Sequence, residues 1–250
     1  MLVYDAWPDI EATIESLNKN NFDVRFVSTG AEARKMMLKM IPPTARIGVG
    51  DSATLRQIGI LEELNRRGNK VINPFARELT ERMRENPAIL KLFVETQRLT
   101  LGTDVFLTST NAVTKDGKIV SMDRAGNRVA GTIFGAKKVI LSVGKNKIVK
   151  DVNDALHYIK NVIAPAHCKR NNRKTPCAVT GVCADCDSSD RLCNVTIILE
   201  KKPVHTDLSI ILVNDDLGLG WDPSWAEKRI SKIRSNYIQH TEPHFVLKSH

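Results

Sequence analysis

Hydrophobic and polar positions along the chain follow two alternating periods. Apolar residues recur at helical spacing after Pro8, at Ile10, Ile14 and Leu17, and again in "ATLRQIGILEEL" and "DVNDALHYIKNVI". Between these segments lie short runs rich in β-branched and aromatic residues, such as "FDVRFVS" and "DVFLTST". The continuous apolar run "KKVILSVG" is typical of a strand that is buried on both faces of a parallel sheet. This alternation predicts an α/β fold with a doubly wound, mostly parallel sheet.

Turn and breaker residues add detail to this fold. Asp116 and Gly117 within "NAVTKDGKIVSMD" predict a β-hairpin, and Phe75 to Thr100 predicts a helix interrupted near Pro87. We therefore expect one α/β domain over residues 1–220, into which a cysteine-rich loop at 174–194 is inserted. The amphipathic stretch "PSWAEKRISKIRSNYI" predicts a helical tail within 221–250.

Composition and charge narrow the class of protein. Hydrophobic residues make up 42% and charged residues 26% of the 250 residues, which is typical of a globular protein and not of a disordered one. No apolar run is long enough to span a membrane, and the start lacks the features of a secretory signal, so we expect a cytoplasmic protein. The net charge of +9 favours small anionic ligands or acidic partners. The basic segments are not interleaved with aromatic residues, so we do not expect nucleic acid as a partner, and the sequence is compatible with a homo-oligomer.

A glycine-containing segment, "IGVGDSATL", lies between a predicted strand and a predicted helix. Gly48 and Gly50 permit a tight turn, and Ser52 and Thr54 place hydroxyl groups at the start of the helix, where an anion is favoured. A capped turn with no ligand accounts for the pattern about as well. Ser109 to Asn111 follow another predicted strand and form a second polar rim, where ligands of open α/β sheets usually bind.

Four of the five cysteines fall within seventeen positions, in "CAVTGVCADCDSSDRLC". Their spacing is Cys177-x5-Cys183-x2-Cys186-x6-Cys193. Four thiolates suit a tetrahedral zinc ion or an iron–sulfur cluster. The spacing matches neither paired zinc knuckles nor the common ferredoxin pattern, so the residues alone leave cluster and zinc open, with reduced thiols or a redox disulfide as a further alternative.

These segments together resemble the lactate-utilisation domain family, and the cysteines resemble its four-cysteine subgroup. The resemblance rests on "IGVGDSATLRQIGILEEL", the block from "DVFLTSTNAVTKDGKIVSMD" to "GKNKIVKD", "IKNVIAPAHCKR", and "KTPCAVTGVCADCDSSDRLCN". It covers roughly residues 10 to 220. The long central block and the cysteine block are its most specific parts.

The resemblance implies the fold of the group that contains ribose-5-phosphate isomerase, glucosamine-phosphate deaminase and the CoA transferases. It also implies a part in the oxidation of lactate-type organic acids, and a [4Fe–4S] cluster at the four cysteines in preference to zinc. The ligand-binding residues that we expect on these grounds, together with the rim residue Ser109, are Gly48, Gly50, Ser52, Thr54, Ser109, Asn111, Asp123 and Asn127. Cys168 and Asp51 depart from the family pattern, and no glutamate matches the nucleophile of CoA transferases.

Three functions remain open at this stage, and the sequence does not decide whether the chain is an enzyme. The first is a redox protein or accessory subunit of organic-acid oxidation, which needs an electron-transfer protein as partner. The second is an enzyme that binds a phosphate or CoA-like ligand, with a structural zinc in the cysteine loop. The third is a regulatory module that responds to its metal or thiol state.

Overall fold

The computed structural model describes residues 10–241, so residues 1–9 of the predicted domain and 242–250 of the predicted tail lie outside the described residues. The strands are β1 (Asp23–Val27), β2 (Arg46–Val49), β3 (Lys70–Ile72), β4 (Val105–Thr108), β5 (Ala112–Thr114), β6 (Ile119–Asp123), β7 (Lys138–Gly144), β8 (Ile148–Val149), β9 (Val195–Leu199) and β10 (Asp207–Val213). The helices are α1 (Ile10–Lys19), α2 (Gly30–Met40), α3 (Ala53–Gln57), α4 (Ile60–Arg66), α5 (Arg77–Glu85), α6 (Leu90–Leu101), α7 (Asn127–Ile133), α8 (Val152–Tyr158), α9 (Ala164–Arg170), α10 (Pro176–Thr180) and α11 (Glu227–Gln239). Short 3₁₀ turns lie at Pro87–Ile89 and Lys145–Lys147, and a π-helical turn at Ile159–Ile163 joins α8 to α9.

The main sheet has six parallel strands in the order β1-β10-β7-β4-β2-β3. Its two longest strands, β7 and β10, are adjacent apolar runs in the interior of the sheet. Both are buried along almost their whole length, which confirms the interpretation of "KKVILSVG" as a strand covered on both faces. The predicted α/β class with a mostly parallel, doubly wound sheet is confirmed.

Helices cover both faces of this sheet, and alternate residues of the strands point to opposite sides. Ile140 and Ile211 pack in one apolar core with α2, α3 and α4. Their neighbours Leu141 and Leu212 pack in a second core with Leu17 of α1. Full burial of each such side chain stabilises the fold by about 2 kcal/mol. Successive side chains of one apolar strand therefore contribute to the two cores on opposite faces of the sheet.

A second, smaller sheet contains the predicted hairpin. Its strand order is β8-β5-β6-β9, and β5 and β6 are antiparallel around the turn at Asp116 and Gly117, as predicted. Gly117 has φ +83°, and a Cβ atom there would lie 2.4 Å from the backbone of Ser16, so a larger residue does not fit. The hairpin strands pair with β8 and β9 in this second sheet and do not extend the main sheet.

The C-terminal helix α11 packs on the domain. Its residues Ile230, Ile233 and Tyr237 are buried in a third apolar core with Tyr158 and Trp221. The division into a domain at 1–220 and a tail at 221–250 stays a prediction. Within residues 10–241 no helix is long and apolar enough to cross a membrane.

Candidate functional site

A cavity of about 500 Å³ opens at the carboxyl ends of the main-sheet strands. Residues 51–54 follow β2, residues 109–111 follow β4, Lys147 follows β7, and residues 218–219 follow β10; all of them line the cavity. In parallel sheets these strand ends meet at one edge, which is where ligands of such folds bind. The opposite wall comes from the end of the hairpin, the helices α9 and α11, and residues 192–194 of the cysteine loop.

The structure brings together most of the predicted ligand-binding residues. Those that line the cavity are Ser52, Thr54, Ser109, Asn111, Asp123 and Asn127. Gly48 and Gly50 do not line it. A Cβ atom at Gly48 would lie 2.5 Å from the Thr100 carbonyl oxygen, and one at Gly50 would lie 2.8 Å from the Phe106 ring. These glycines therefore allow close packing beneath the cavity, and a part in ligand binding stays a prediction for all eight residues.

The turn after β2 is held by its own side chains. Ser52 is the N-cap of α3, and its Oγ accepts a hydrogen bond of 3.3 Å from the backbone N–H of Leu55. The Asp51 carboxylate pairs with Arg56 at 2.8 Å. The negative charge of Asp51 is thus partly balanced by a cation that follows it in α3.

Lys147 lies at the floor of the cavity with 5% of its surface exposed. Its Nζ donates hydrogen bonds to Ser109 Oγ at 2.8 Å, the Thr110 carbonyl at 3.0 Å and Thr54 Oγ1 at 3.3 Å. No described carboxylate forms a salt bridge with it. Burial, and then the charge of Arg128, lowers the pKa of Lys147 to about 7. A large fraction of this amine is therefore neutral near neutral pH.

The turn that carries Lys147 is fixed by the buried side chain of Asn146. The Asn146 amide donates to the Gly220 carbonyl and accepts from the backbone N–H of Leu217, both at 2.9 Å. The Tyr158 hydroxyl donates to the Asn146 carbonyl at 2.8 Å. Two separate segments, residues 217–220 and the end of α8, thus hold the turn between β7 and β8 in one position, and Lys147 with it.

A second buried network lies at the end of the hairpin. Arg128 donates to the Ser109 carbonyl, the Met122 carbonyl and the Asn111 side-chain oxygen, at 2.6 to 3.1 Å. The Asp123 carboxylate accepts hydrogen bonds from the backbone N–H groups of Arg124, Arg128 and Val129. The carboxylate and the guanidinium are thus already engaged by the protein, so their primary effect is to hold β6 and α7 against the cavity.

Arg173 differs from Arg128 because part of its guanidinium has no acceptor. The residue is 8% exposed and lines the cavity, and its Nε and Nη1 atoms are buried without a hydrogen-bond partner among the described residues. Asp190 forms a buried ion pair with Nη1 at 3.6 Å, a distance longer than a hydrogen bond. Burial lowers the pKa of Arg173. Unsatisfied buried donors are costly, so a ligand acceptor at this position would be favourable.

The charges around the cavity favour an anion. Five basic side chains and two carboxylates line it, and both carboxylates have the partners described above. The basic residues are Arg56, Arg124, Arg128, Lys147 and Arg173. Opposite charges in a partly dehydrated cleft attract each other more strongly than in water.

The cysteine loop lies beside this cavity, and Cys193 is part of the cavity wall. Cys177, Cys183, Cys186 and Cys193 are partly buried and unbonded, and Cys168 is buried. Cys177 Sγ lies within hydrogen-bond distance of Thr175 Oγ1, and Cys183 Sγ accepts a hydrogen bond from the backbone N–H of Asp185, both at 3.4 Å. Burial raises the pKa of Cys193, an effect that Arg191 opposes. Burial also raises the pKa of Cys168 to about 12.

The loop is organised around Arg191. Its guanidinium donates to the Cys186 carbonyl at 2.7 Å and to the Cys193 carbonyl at 3.2 Å. Among residues 10–241 no three potential metal ligands are already arranged to hold an ion. The four predicted metal ligands thus lie in one loop without forming a coordination shell, and metal binding by them stays a prediction.

The sequence analysis did not identify Lys147 and Arg173 as site residues. Both stand in segments whose main feature in the sequence is a high density of basic residues. A signal was present for Lys147, which comes three residues after a buried strand ends and so near the ligand-binding edge of the sheet. No comparable signal marks Arg173, because its burial depends on the fold of the cysteine loop.

A comparison with models of protein families agrees with the sequence resemblance. The family model of the LUD domain matches residues 10–213. No curated protein matches the chain. A crystal structure of a DUF162 family protein from Deinococcus radiodurans aligns with a TM-score of 0.45 and 16% sequence identity, over 82% of this chain and 95% of that chain.

Proposed function

This chain belongs to the LUD domain family, which is linked to lactate utilisation, and on that premise we propose that it is a redox subunit or accessory protein of organic-acid oxidation. In this proposal a small organic anion binds in the cavity. A [4Fe–4S] cluster, held by Cys177, Cys183, Cys186 and Cys193 as in the four-cysteine subgroup, lies at the cavity wall. An electron-transfer protein is the partner that the cluster requires.

One observation carries the proposal: Cys193 lines the same cavity as the buried cations Arg173 and Lys147. A cluster bound through Cys193 would therefore be next to a bound anion. Contact between the cluster and the cavity is expected if the cluster exchanges electrons with the bound anion. A metal ion that only stabilises the loop does not require such contact.

Arg173 supports the anion part of the proposal. Its buried Nε and Nη1 atoms have no acceptor among residues 10–241, and the cavity around it is rich in positive charge. A carboxylate of a small organic acid supplies the missing acceptor and adds to the negative charge that Asp190 already places near Nη1.

The donor set of the loop supports the cluster part. Four thiolates are the usual ligands of a [4Fe–4S] centre, which takes up and releases single electrons when bound. Arg191 lies among the thiols and offsets part of their negative charge. Because the ligands are not already arranged around a common centre, their side chains must turn inward when the cluster binds.

Anaerobic purification followed by iron and sulfide analysis and a visible spectrum tests the cluster. We expect a brown protein that loses most of its iron in Cys193→Ser and keeps it in the control Cys168→Ala. A colourless, zinc-loaded protein, or one whose iron content is the same in Cys193→Ser, would contradict this part of the proposal.

Calorimetric titration with L-lactate and pyruvate tests the anion site. We expect Arg173→Met to weaken binding at least about tenfold, since charged hydrogen bonds each contribute about 1.5–3 kcal/mol. The matched control is Arg46→Met, which removes an exposed arginine at the amino end of β2, far along the strand from the cavity edge. Equal affinity in Arg173→Met and the unmodified protein would exclude this residue as the receptor.

A second candidate function is an enzyme that binds a phosphate or CoA-like ligand, with a structural zinc in the loop. The hydroxyls of Ser52, Thr54 and Ser109 at the cavity favour it, since they are short polar groups beside a buried amine. Inorganic phosphate or CoA should then raise the melting temperature, and Ser52→Ala should abolish the effect while zinc content stays unchanged. No shift with either ligand excludes this function.

A further inference from the structure

The buried amine of Lys147 is one of the basic groups of the cavity, and its surroundings suit it to a second role besides attracting an anion. It lies at the cavity floor with two hydroxyls, Thr54 and Ser109, within 3.3 Å of Nζ. A Cβ atom at Gly218 would lie 2.8 Å from Nζ, so the backbone at Gly218 closes over one side of the amine. The remaining approach to Nζ is from the cavity.

Two features give this amine unusual chemistry for a lysine. It has no carboxylate partner among the described residues, and the charged group that affects its pKa is the cation Arg128. Burial and a neighbouring cation both favour the neutral form, and the neutral form is the nucleophile. Lysines activated in this way react with carbonyl carbon atoms.

We propose that Lys147 is a nucleophile that condenses reversibly with the carbonyl group of a 2-oxo acid bound in the cavity. The inference rests on the proposed function, because the carboxylate of that ligand is held by the cavity cations. A 2-oxo acid is also the product when a 2-hydroxy acid is oxidised at its hydroxyl-bearing carbon.

The reaction is balanced without any redox partner. The lone pair of Nζ forms a bond to the carbonyl carbon, the carbonyl π electrons move to oxygen, and a proton passes from nitrogen to that oxygen. Loss of the resulting hydroxyl with a second proton from nitrogen gives an imine and one water molecule. Ser109 Oγ, 2.8 Å from Nζ, and Thr54 Oγ1, at 3.3 Å, are placed to carry these protons.

The test traps the imine in the complete protein. The protein is incubated with pyruvate and sodium cyanoborohydride, digested, and mapped by mass spectrometry. We expect Lys147 to carry one pyruvate less water plus two hydrogens. L-lactate, which has no carbonyl, should give no adduct.

Lys145 is the internal control, because it is a buried lysine of the same turn that lies outside the cavity lining. It should stay unmodified. Lys147→Arg should lose the adduct while circular dichroism shows an unchanged fold. Labelling of Lys145 and exposed lysines with none at Lys147 would overturn the inference, and because this readout comes from the unmodified protein it does not depend on the variant folding.

Pyruvate titration without reductant separates failure of this inference from failure of the proposed function. Binding with an intact cluster and no adduct at Lys147 overturns only the nucleophile. Absence of binding, together with absence of iron, overturns the proposed function itself.

Discussion

The two walls of the cavity are built in different ways. The wall at the strand ends is fixed by buried hydrogen bonds: Lys147 has three acceptors, and Asn146 links three segments. In the wall from the cysteine loop, Arg173 has buried donors without acceptors, and Cys193 is one of four partly buried, unbonded thiols. The polar groups named at the strand ends have hydrogen-bond partners without a ligand. Within residues 10–241, the other wall contains buried donors of Arg173 without acceptors and thiols that form no disulfide.

This difference indicates a division of roles. A wall whose polar groups are already satisfied can hold a reactive group in a constant position. If the proposed anion and metal centre bind, they supply partners to the unmatched donors and thiols of the other wall and so stabilise it. We therefore expect changes at the strand ends to alter global stability, and changes in the loop to alter local order.

The largest expected effect is the pH dependence due to Lys147. Between its pKa of about 7 in the folded protein and its ordinary value of 10.5, the unfolded chain binds more protons, so the free energy of unfolding rises with pH in this range. Denaturant titrations of the unmodified protein should show a rise of about 3 kcal/mol from pH 7 to pH 10 that Lys147→Met lacks.

Lys70→Met, which removes an exposed lysine of β3, controls for the loss of a lysine as such. Parallel pH profiles for the unmodified protein and Lys147→Met would show that the strand-end wall does not hold a desolvated amine.

The next effect compares two glycines, Gly50 beneath the strand-end wall and Gly181 on the exposed side of the cysteine loop. Gly50→Ala places a Cβ atom 2.8 Å from the buried Phe106 ring and from Thr108 Oγ1, so we expect a loss of about 2 kcal/mol in the free energy of unfolding. Gly181→Ala meets no atom within 4 Å, and its cost of about 1 kcal/mol comes from its φ of +77°. Chemical denaturation measures both, and a larger loss for Gly181→Ala would reverse the comparison.

Metal removal should act on the loop alone. Chelation of the metal-loaded protein is expected to raise amide hydrogen exchange across 174–194 by about tenfold or more, because the loop has few buried apolar groups of its own. Exchange in β7 and β10 should not change. Equal exchange in the loop before and after chelation would show that its order does not depend on a metal.

The smallest expected effect is at the exposed residue Asp185. Its carboxylate pairs with Arg191 at 2.7 Å and with Lys160 at 3.7 Å, but exposed pairs contribute little. Asp185→Asn keeps a residue type that tolerates the φ of +44° at this position. We expect no measurable change in melting temperature, and a clear fall would mean that the loop is held by this ion pair.

The sequence predicted the main architecture because its strongest signals are local. The apolar run of β7, the Asp116–Gly117 turn and the break at Pro87 each depend on a few neighbouring residues, and each is confirmed. The assignment of the hairpin and β9 to a separate sheet was not predicted, because strand pairing between Met122 and Thr196 depends on residues distant in sequence.

The site was predicted in part for the same reason. Ser52, Ser109 and Asn111 follow strands directly, so their place at the sheet edge follows from local pattern. Arg173 was missed because its burial and its unsatisfied donors arise only when the cysteine loop folds against the domain. Residues whose role depends on burial, as distinct from position along a strand, are difficult to identify from a pattern.

The place of β10 in the main sheet has a consequence for how the chain reaches its native state. This strand comes last in sequence among those of the described sheets, yet it pairs with β1 on one side and β7 on the other, joining Asp23 to Ser209. During synthesis β1 has no neighbour until residues 207–213 are made, so the sheet closes late and through a contact of very high sequence separation, which is typical of slow folding. The cysteines of residues 177–193 are synthesised before that closure, so the proposed metal centre could be assembled while these thiols are still accessible in the nascent chain.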